Sequence, residues 1–155
     1  MVGIEAKVNP TVPSPKQWGY RSKITPHFQR PKPGEDFPIG FLEFNRRTRL
    51  VDVYNCPIAM DEINEALQPI RDDVKSRAAE YKKGATLLLR ATEDRVETDH
   101  RAPVSEKVGN LKFHFLAGDF FQNNPFILDS FTKHAAEQAE GPNQKYLLDA
   151  YCGSG

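Results

Sequence analysis

Tyr20-Arg21-Ser22-Lys23-Ile24-Thr25-Pro26-His27-Phe28 is the stretch that sets the reading of the chain. Tyr20, Ser22 and Ile24 alternate with Arg21, Lys23 and Thr25, the period-two pattern of a strand with one face buried and one in water. Downstream, Pro31, Pro33 and Gly34 mark a loop. Ile39 to Phe44 reads as a second strand, Asn45 to Thr48 as a turn, and Leu50 to Tyr54 as a third strand. Short strands joined by short turns predict an antiparallel meander. Upstream, residues 1–17 hold Pro10, Pro13 and Pro15 with little apolar content and read as a linker.

The pattern then changes period. Ile63, Leu67, Ile70, Val74, Ala78 and Tyr81 recur at helical spacing. Asp61 is placed to cap this helix, Pro69 to kink or divide it, and Gly84 to end it. Ala85 to Thr92, with Leu87, Leu88 and Leu89, predicts a buried strand. Residues 93–110 are polar and read as a loop or a weak hairpin; Lys112 to Leu116 reads as a strand with Phe113 and Phe115 on one face. Asn124-Pro125 predicts a helix start, a capping side chain followed by a proline at the first helical position. Ile127, Leu128, Phe131, Ala135 and Ala139 give that helix an apolar side, and Gly141-Pro142 stops it.

Composition excludes several classes. The chain has 155 residues, is 39% hydrophobic and 10% aromatic, and so can bury a core. No apolar run reaches the roughly 20 residues that span a bilayer, and no secretory signal is visible. Cys56 and Cys152 cannot build a disulfide framework, which points to an intracellular protein with no disulfide-linked partner. His27, His100, His114 and His134 lack metal-ligand spacing. Net charge is zero, yet residues 16–50 hold eight Lys/Arg against three acids, and residues 51–155 twelve against seventeen. A basic segment interleaved with Trp18, Tyr20, Phe28, Phe41 and Phe44 suits a polyanion, or equally a solvated strand face.

Tyr146-Leu147-Leu148-Asp149-Ala150-Tyr151 reads as a buried strand running into Gly153-Ser154-Gly155. Glycines let a backbone turn sharply and approach a ligand, as at the first loop of nucleotide- or S-adenosylmethionine-binding α/β domains. A plain surface turn has the same appearance. If it is such a loop, a longer protein is expected, because later strands bury the first one.

Four stretches together resemble the tRNA (uracil-5-)-methyltransferase family, which also includes ribosomal RNA uracil-5 methyltransferases. Tyr20-Arg21-Ser22-Lys23-Ile24 is similar to its Y-R-x-K strand, and Asp52-Val53-Tyr54-Asn55-Cys56-Pro57-Ile58 to its strand ending in C-P-I. Phe120-Phe121-Gln122-Asn123-Asn124 matches its F-x-Q-x-N motif, and Leu148 to Gly155 its first S-adenosylmethionine motif. The long central region resembles eukaryotic, fungal-type members. The resemblance implies an α+β central domain over 18–119, antiparallel strands with helices. Residues 120–155 are then the first helix and strand of a Rossmann-like S-adenosylmethionine-dependent methyltransferase domain, truncated there.

The resemblance also implies a chemistry. In the family a cysteine thiolate adds to C6 of a flipped uracil, C5 takes the methyl group of S-adenosylmethionine, and a carboxylate removes the C5 proton. The base must leave its stack. The family's nucleophile and base lie beyond Gly155, so the chain is expected to hold no catalytic residue and to be inactive alone. Its substrate is a uridine in tRNA, and 5-methyluridine is the product. Gln122, Tyr151, Gly153 and Gly155 are the implied cofactor residues; Phe120, Gln122, Arg21 and Lys23 the implied RNA contacts. Each has a plainer alternative: Phe120 packing beside Phe113 and Phe115, Gln122 bonding at the helix entry, Tyr151 in a core, Arg21 and Lys23 on an exposed strand face. Asn124 reads as a cap. Cys152 falls in the cofactor loop, as a structural residue. Cys56 stands where iron–sulfur-containing relatives have one cluster ligand, but the other three have no counterparts, and no metal is expected. One rival reading is a non-catalytic RNA-binding module; a second is another α/β methyltransferase or nucleotide enzyme in which the F-x-Q-x-N match is accidental.

Overall fold

The computed structural model describes residues 3, 8–140, 145, 146 and 148–150. In chain order the elements are β1 (Lys23–Ile24), β2 (His27–Phe28), β3 (Gly40–Glu43), β4 (Arg46–Asp52), α1 (Asp61–Ser76), a 3-10 turn (Ala78–Glu80), β5 (Ala85–Thr86), β6 (Leu89–Ala91), β7 (Val96–Glu97), β8 (Pro103–Val108), β9 (Leu111–Leu116) and α2 (Pro125–Ala139). Three antiparallel sheets result, ordered β1-β6-β7, β4-β3-β2-β5 and β8-β9. The fold is mixed α/β with antiparallel pairing, as the meander predicts.

The opening stretch is not one strand. Buried Pro26 has no amide to donate, and the ladder divides there. Ile24 pairs with Leu89 in one sheet, Phe28 with Ala85 in the other, and the Leu87 amide donates to the Pro26 carbonyl between them. Ala85 to Thr92 divides in step, into β5 and β6. The two segments cross from sheet to sheet together, which sets the sheets over a core of two clusters that meet at Leu87.

α1 closes that core. Ile63 and Leu67 pack with Ile24, Ala59, Leu89 and Ala91, while Val74 joins Phe28 and Ile39. The stripe is as expected, but its ends are not. Met60 occupies the N-cap position without a side-chain bond, and Asp61 lies in the first turn, where a carboxylate favours the helix dipole. Pro69 does not divide the helix, since it lies on the exposed side of a continuous 16-residue helix. The helix stops at Ser76, before Gly84. β4 begins at Arg46 because Asn45, at φ 60°, turns the chain in a tight loop. Residues 93–110 supply β7 and β8 rather than a loop, with Gly109 at φ 58° turning β8 into β9.

The buried strand expected at 146–151 is absent among the described residues. Lys145, Tyr146, Leu148, Asp149 and Ala150 form no strand, and Tyr146 is 93% exposed. A strand draws its hydrogen bonds from neighbours, and none of the described strands pairs with these residues. Gly141, Pro142, Leu147, Tyr151, Cys152, Gly153 and Gly155 lie outside the described residues.

Candidate functional site

The segment from Ala117 to Asn124 joins β9 to α2 and carries the F-x-Q-x-N residues. Its start is fixed by backbone bonds: the Ala117 amide donates to the Ala102 carbonyl, Gly118 to His100, and Asp119 to Leu116. Gly118 has no room for a side chain, since a Cβ there would lie 2.9 Å from the His100 carbonyl oxygen. Its end is fixed too. The Ser22 amide donates to the Asn123 carbonyl at 2.8 Å, and Asn124 caps α2, its Oδ1 accepting from the Phe126 amide at 3.2 Å. The Asn124 cap and Pro125 start are as the sequence predicts.

Between these anchors the residues alternate in direction. Phe121 turns inward, its ring stacked on Phe115 at 4.5 Å and tilted against Phe113 at 5.8 Å. Phe120, the residue expected either to stack on a base or to pack beside Phe113 and Phe115, is 75% exposed; its neighbour takes the packing role. Gln122 is exposed and makes no hydrogen bond among the described residues, so it does not bond at the helix entry. An exposed ring and a carboxamide that both donates and accepts thus stand two positions apart.

Arg21 and Lys23 are half-buried. Arg21 donates through Nε to the Lys23 carbonyl at 2.9 Å. Lys23 directs Nζ at the carbonyls of Asp119, at 2.9 Å, and Gly118, at 3.4 Å. Burial, together with Arg90 and Arg21 nearby, holds its ammonium below its ordinary pKa, against the opposing pull of Asp119. Sequence reasoning missed Arg90, which is 2% exposed in β6. Its Nε donates to the Ala117 carbonyl and Nη2 to the Asp119 carbonyl, both at 2.8 Å. The signal was present: one arginine inside Leu87-Leu88-Leu89-Arg90-Ala91 needs buried partners. Burial lowers the Arg90 pKa, while Glu106 and Asp119 oppose that. Burial raises Glu106, which Arg90 counters and Glu93 reinforces.

Much of the basic first third is engaged elsewhere. Lys32 pairs with Glu35, Arg49 with Glu43, and Lys16 lies 4.3 Å from the Phe126 ring centre. Cys56 packs against the core, its amide and carbonyl both bonded to Asn64. Among the described residues no three His, Cys, Asp or Glu side chains gather to hold a metal, and no helix is long and apolar enough to cross a membrane. A cleft of about 340 Å³ lies between Trp18, Asn55 and the start of α1; another, of about 140 Å³, adjoins Ser22, Glu106 and Pro125. Phe120 and Gln122 line neither.

No family model matches the chain. It is 50% identical, over a 162-residue alignment covering 96% of it, to the tRNA (uracil(54)-C(5))-methyltransferase of Schizosaccharomyces pombe. It is 31% identical over 208 residues, covering 94% of it, to the protein of that name from Saccharomyces cerevisiae. The chain spans about a third of the length of these relatives, 31% and 33%. Among solved structures it is similar to Pyrococcus abyssi tRNA (uracil-54, C5)-methyltransferase in complex with S-adenosyl-L-homocysteine. The TM-score is 0.59 at 16% identity, covering 84% of this chain and 44% of that one, a likeness of fold. The resemblance carried by the four sequence motifs thus extends over nearly the whole chain.

Proposed function

We propose that this chain is part of an S-adenosylmethionine-dependent methyltransferase forming 5-methyluridine in tRNA, at the position 54 that its relatives' names give. The observation that carries the reading is the 50% identity to one such enzyme across nearly the whole chain. In this reading residues 18–119 form the central α+β domain and residues 120–155 open a Rossmann-like methyltransferase domain. The Pyrococcus fold likeness supports the first part over most of the chain.

The exposed Phe120 ring is suited to stack on an unpaired base. Gln122, exposed and unbonded, fits a place between base and cofactor, where one carboxamide serves a uracil edge or an amino acid group. Tyr151, Gly153 and Gly155 complete the cofactor side by family resemblance. When bound, S-adenosylmethionine supplies the electrophilic methyl group; this chain's own residues bind and orient. Arg21 keeps its terminal guanidinium nitrogens for an RNA phosphate, a contact that salt weakens. Cys56 is held in the core and Cys152 belongs to the cofactor loop, so neither serves as nucleophile.

The test is a methyl-transfer assay of the 155-residue chain with unmodified tRNA and radiolabelled S-adenosylmethionine. The expected result is salt-sensitive tRNA binding with no turnover. Turnover that disappears in Cys152→Ala would overturn the proposal. Binding of tRNA by the whole protein with no S-adenosylmethionine binding would favour a non-catalytic RNA-binding module.

A further inference from the structure

Lys23 and Arg90 face each other across the β1–β6 pair. Like charges directly opposite in a ladder are unfavourable, and Arg90 is buried while Lys23 is half-buried. Their placement has one visible consequence. Between them they donate to all three successive carbonyls of Ala117, Gly118 and Asp119. Those same residues have their amides bonded to Ala102, His100 and Leu116. Every backbone polar group from 117 to 119 is therefore satisfied. Further along, Ser22, next to Lys23 in the chain, grips the Asn123 carbonyl through both its amide and its Oγ. The guanidinium of Arg90 also lies 4.9 Å from the centre of the Phe115 ring, the ring on which Phe121 stacks. One buried cation thus touches both supports of the segment: the backbone before Phe120 and the ring beneath Phe121.

We propose that Arg90, assisted by Lys23, is the positioning residue of the Phe120–Gln122 segment, fixing where its exposed ring and carboxamide stand when they meet RNA. The inference deepens the proposed function and rests on it for the identity of what is met. It reassigns Lys23 from phosphate contact to internal support, and gives a role to Arg90, which touches no RNA itself. Arginine suits the place because its planar fork spans two carbonyls, at 117 and 119, with fixed geometry; a lysine is a single point donor.

The test uses the full 155-residue chain with Trp18→Phe and Phe120→Trp, so that the only indole reports on the segment. Time-resolved anisotropy of that indole measures its order. Arg90→Lys retains charge and loses one carbonyl bond; Lys23→Met retains bulk and loses the ammonium. Ile39→Val, a mild core substitution in the cluster with Phe28 and Val74, away from Lys23, Arg90 and the segment, is the control for general destabilisation. Both variants at 90 and 23 are expected to lower the residual anisotropy, Arg90→Lys less than Arg90→Gln, with the control unchanged. Affinity for an oligouridylate of about eight residues is expected to fall in parallel, roughly ten-fold. Unchanged indole order in folded Arg90→Lys and Lys23→Met overturns the proposal. So does a loss of affinity with order intact, which would place the cations on the RNA. Order lost as expected, with no oligouridylate binding by the unsubstituted chain, upholds the positioning role and overturns the RNA reading instead.

Discussion

The rings of Phe115 and Phe121 lie 4.5 Å apart and 7° from parallel, and this stack decides which of two adjacent phenylalanines meets solvent. Phe121 supports the segment; Phe120 is displayed by it. The two truncations should therefore separate. Phe121→Ala removes a ring contact and part-buried area, and is expected to cost about 2 kcal/mol in urea unfolding. Phe120→Ala is expected to change stability by less than about 0.5 kcal/mol while weakening oligouridylate binding. Equal stability losses in the two variants would contradict the assignment.

Arg71 ties α1 to the edge of β3 and β4. Fully buried, it donates through Nη1 to the carbonyls of Ile39 and Val53 and pairs with Asp52 at 2.8 Å, its guanidinium lying 4.1 Å from the Tyr54 ring centre. Replacing it with methionine removes the counter-charge of Asp52 and the donor to the Val53 carbonyl, while the Ile39 carbonyl keeps the Val53 amide and Asp52 keeps the Ile39 amide; the expected loss is roughly 3 kcal/mol. Asp52→Asn together with Arg71→Met should recover part of that loss. A double-mutant cycle with no coupling would refute the network.

These two arginines, Arg71 and Arg90, mark the limit of what the sequence made legible. Periodicity found α1 because Ile63, Leu67 and Val74 follow one face, and found the α2 start because Asn124 and Pro125 have fixed local roles. Arg71 and Arg90 escaped because their partners are backbone carbonyls far away in the chain, which no spacing rule encodes. The division of the first strand at Pro26 was hidden for the same reason: alternation continues across the proline, and only the partner segment shows that the two halves sit in different sheets. At the site, the F-x-Q-x-N motif was legible, but its choice between Phe120 and Phe121 depends on where Phe115 lies.

Two partly buried carboxylates, Asp52 and Glu106, contribute to the pH dependence with opposite sign. Burial pushes Asp52 up, but hydrogen bonds from Arg71, the Ile39 amide and Tyr54 outweigh it and hold its carboxyl below its ordinary 3.8. Its contribution to stability is present above 3.8 and is lost as pH falls through the depressed value. Glu106 is raised above its ordinary 4.5 by burial and by Glu93, against Arg90. Its contribution is complete below 4.5 and is lost as pH rises through the raised value. Asp52→Asn is thus expected to flatten the acid limb below 3.8, and Glu106→Gln to flatten the decline above 4.5. Chemical denaturation from about pH 3 to 8 checks both; a Glu106→Gln variant that steepens the decline would reverse that sign.

Pro69 makes the last case. It lies on the exposed side of α1, nine residues into the helix, and lacks the amide that would donate to the Glu65 carbonyl. Nothing on the buried side depends on it, since Ile63, Leu67, Arg71 and Val74 carry the packing. Pro69→Ala restores one helical hydrogen bond without touching the core, while giving the unfolded chain back some freedom. The helix gain is of order 3 kcal/mol and the unfolded-state loss about 1 kcal/mol or less, so the gain should prevail. The expected outcome is a higher urea midpoint with unchanged slope. A lower midpoint would mean that the local helix geometry set by Pro69 is needed for Arg71 to reach the Ile39 and Val53 carbonyls, and the double variant Pro69→Ala, Arg71→Met would then show no further effect of the proline.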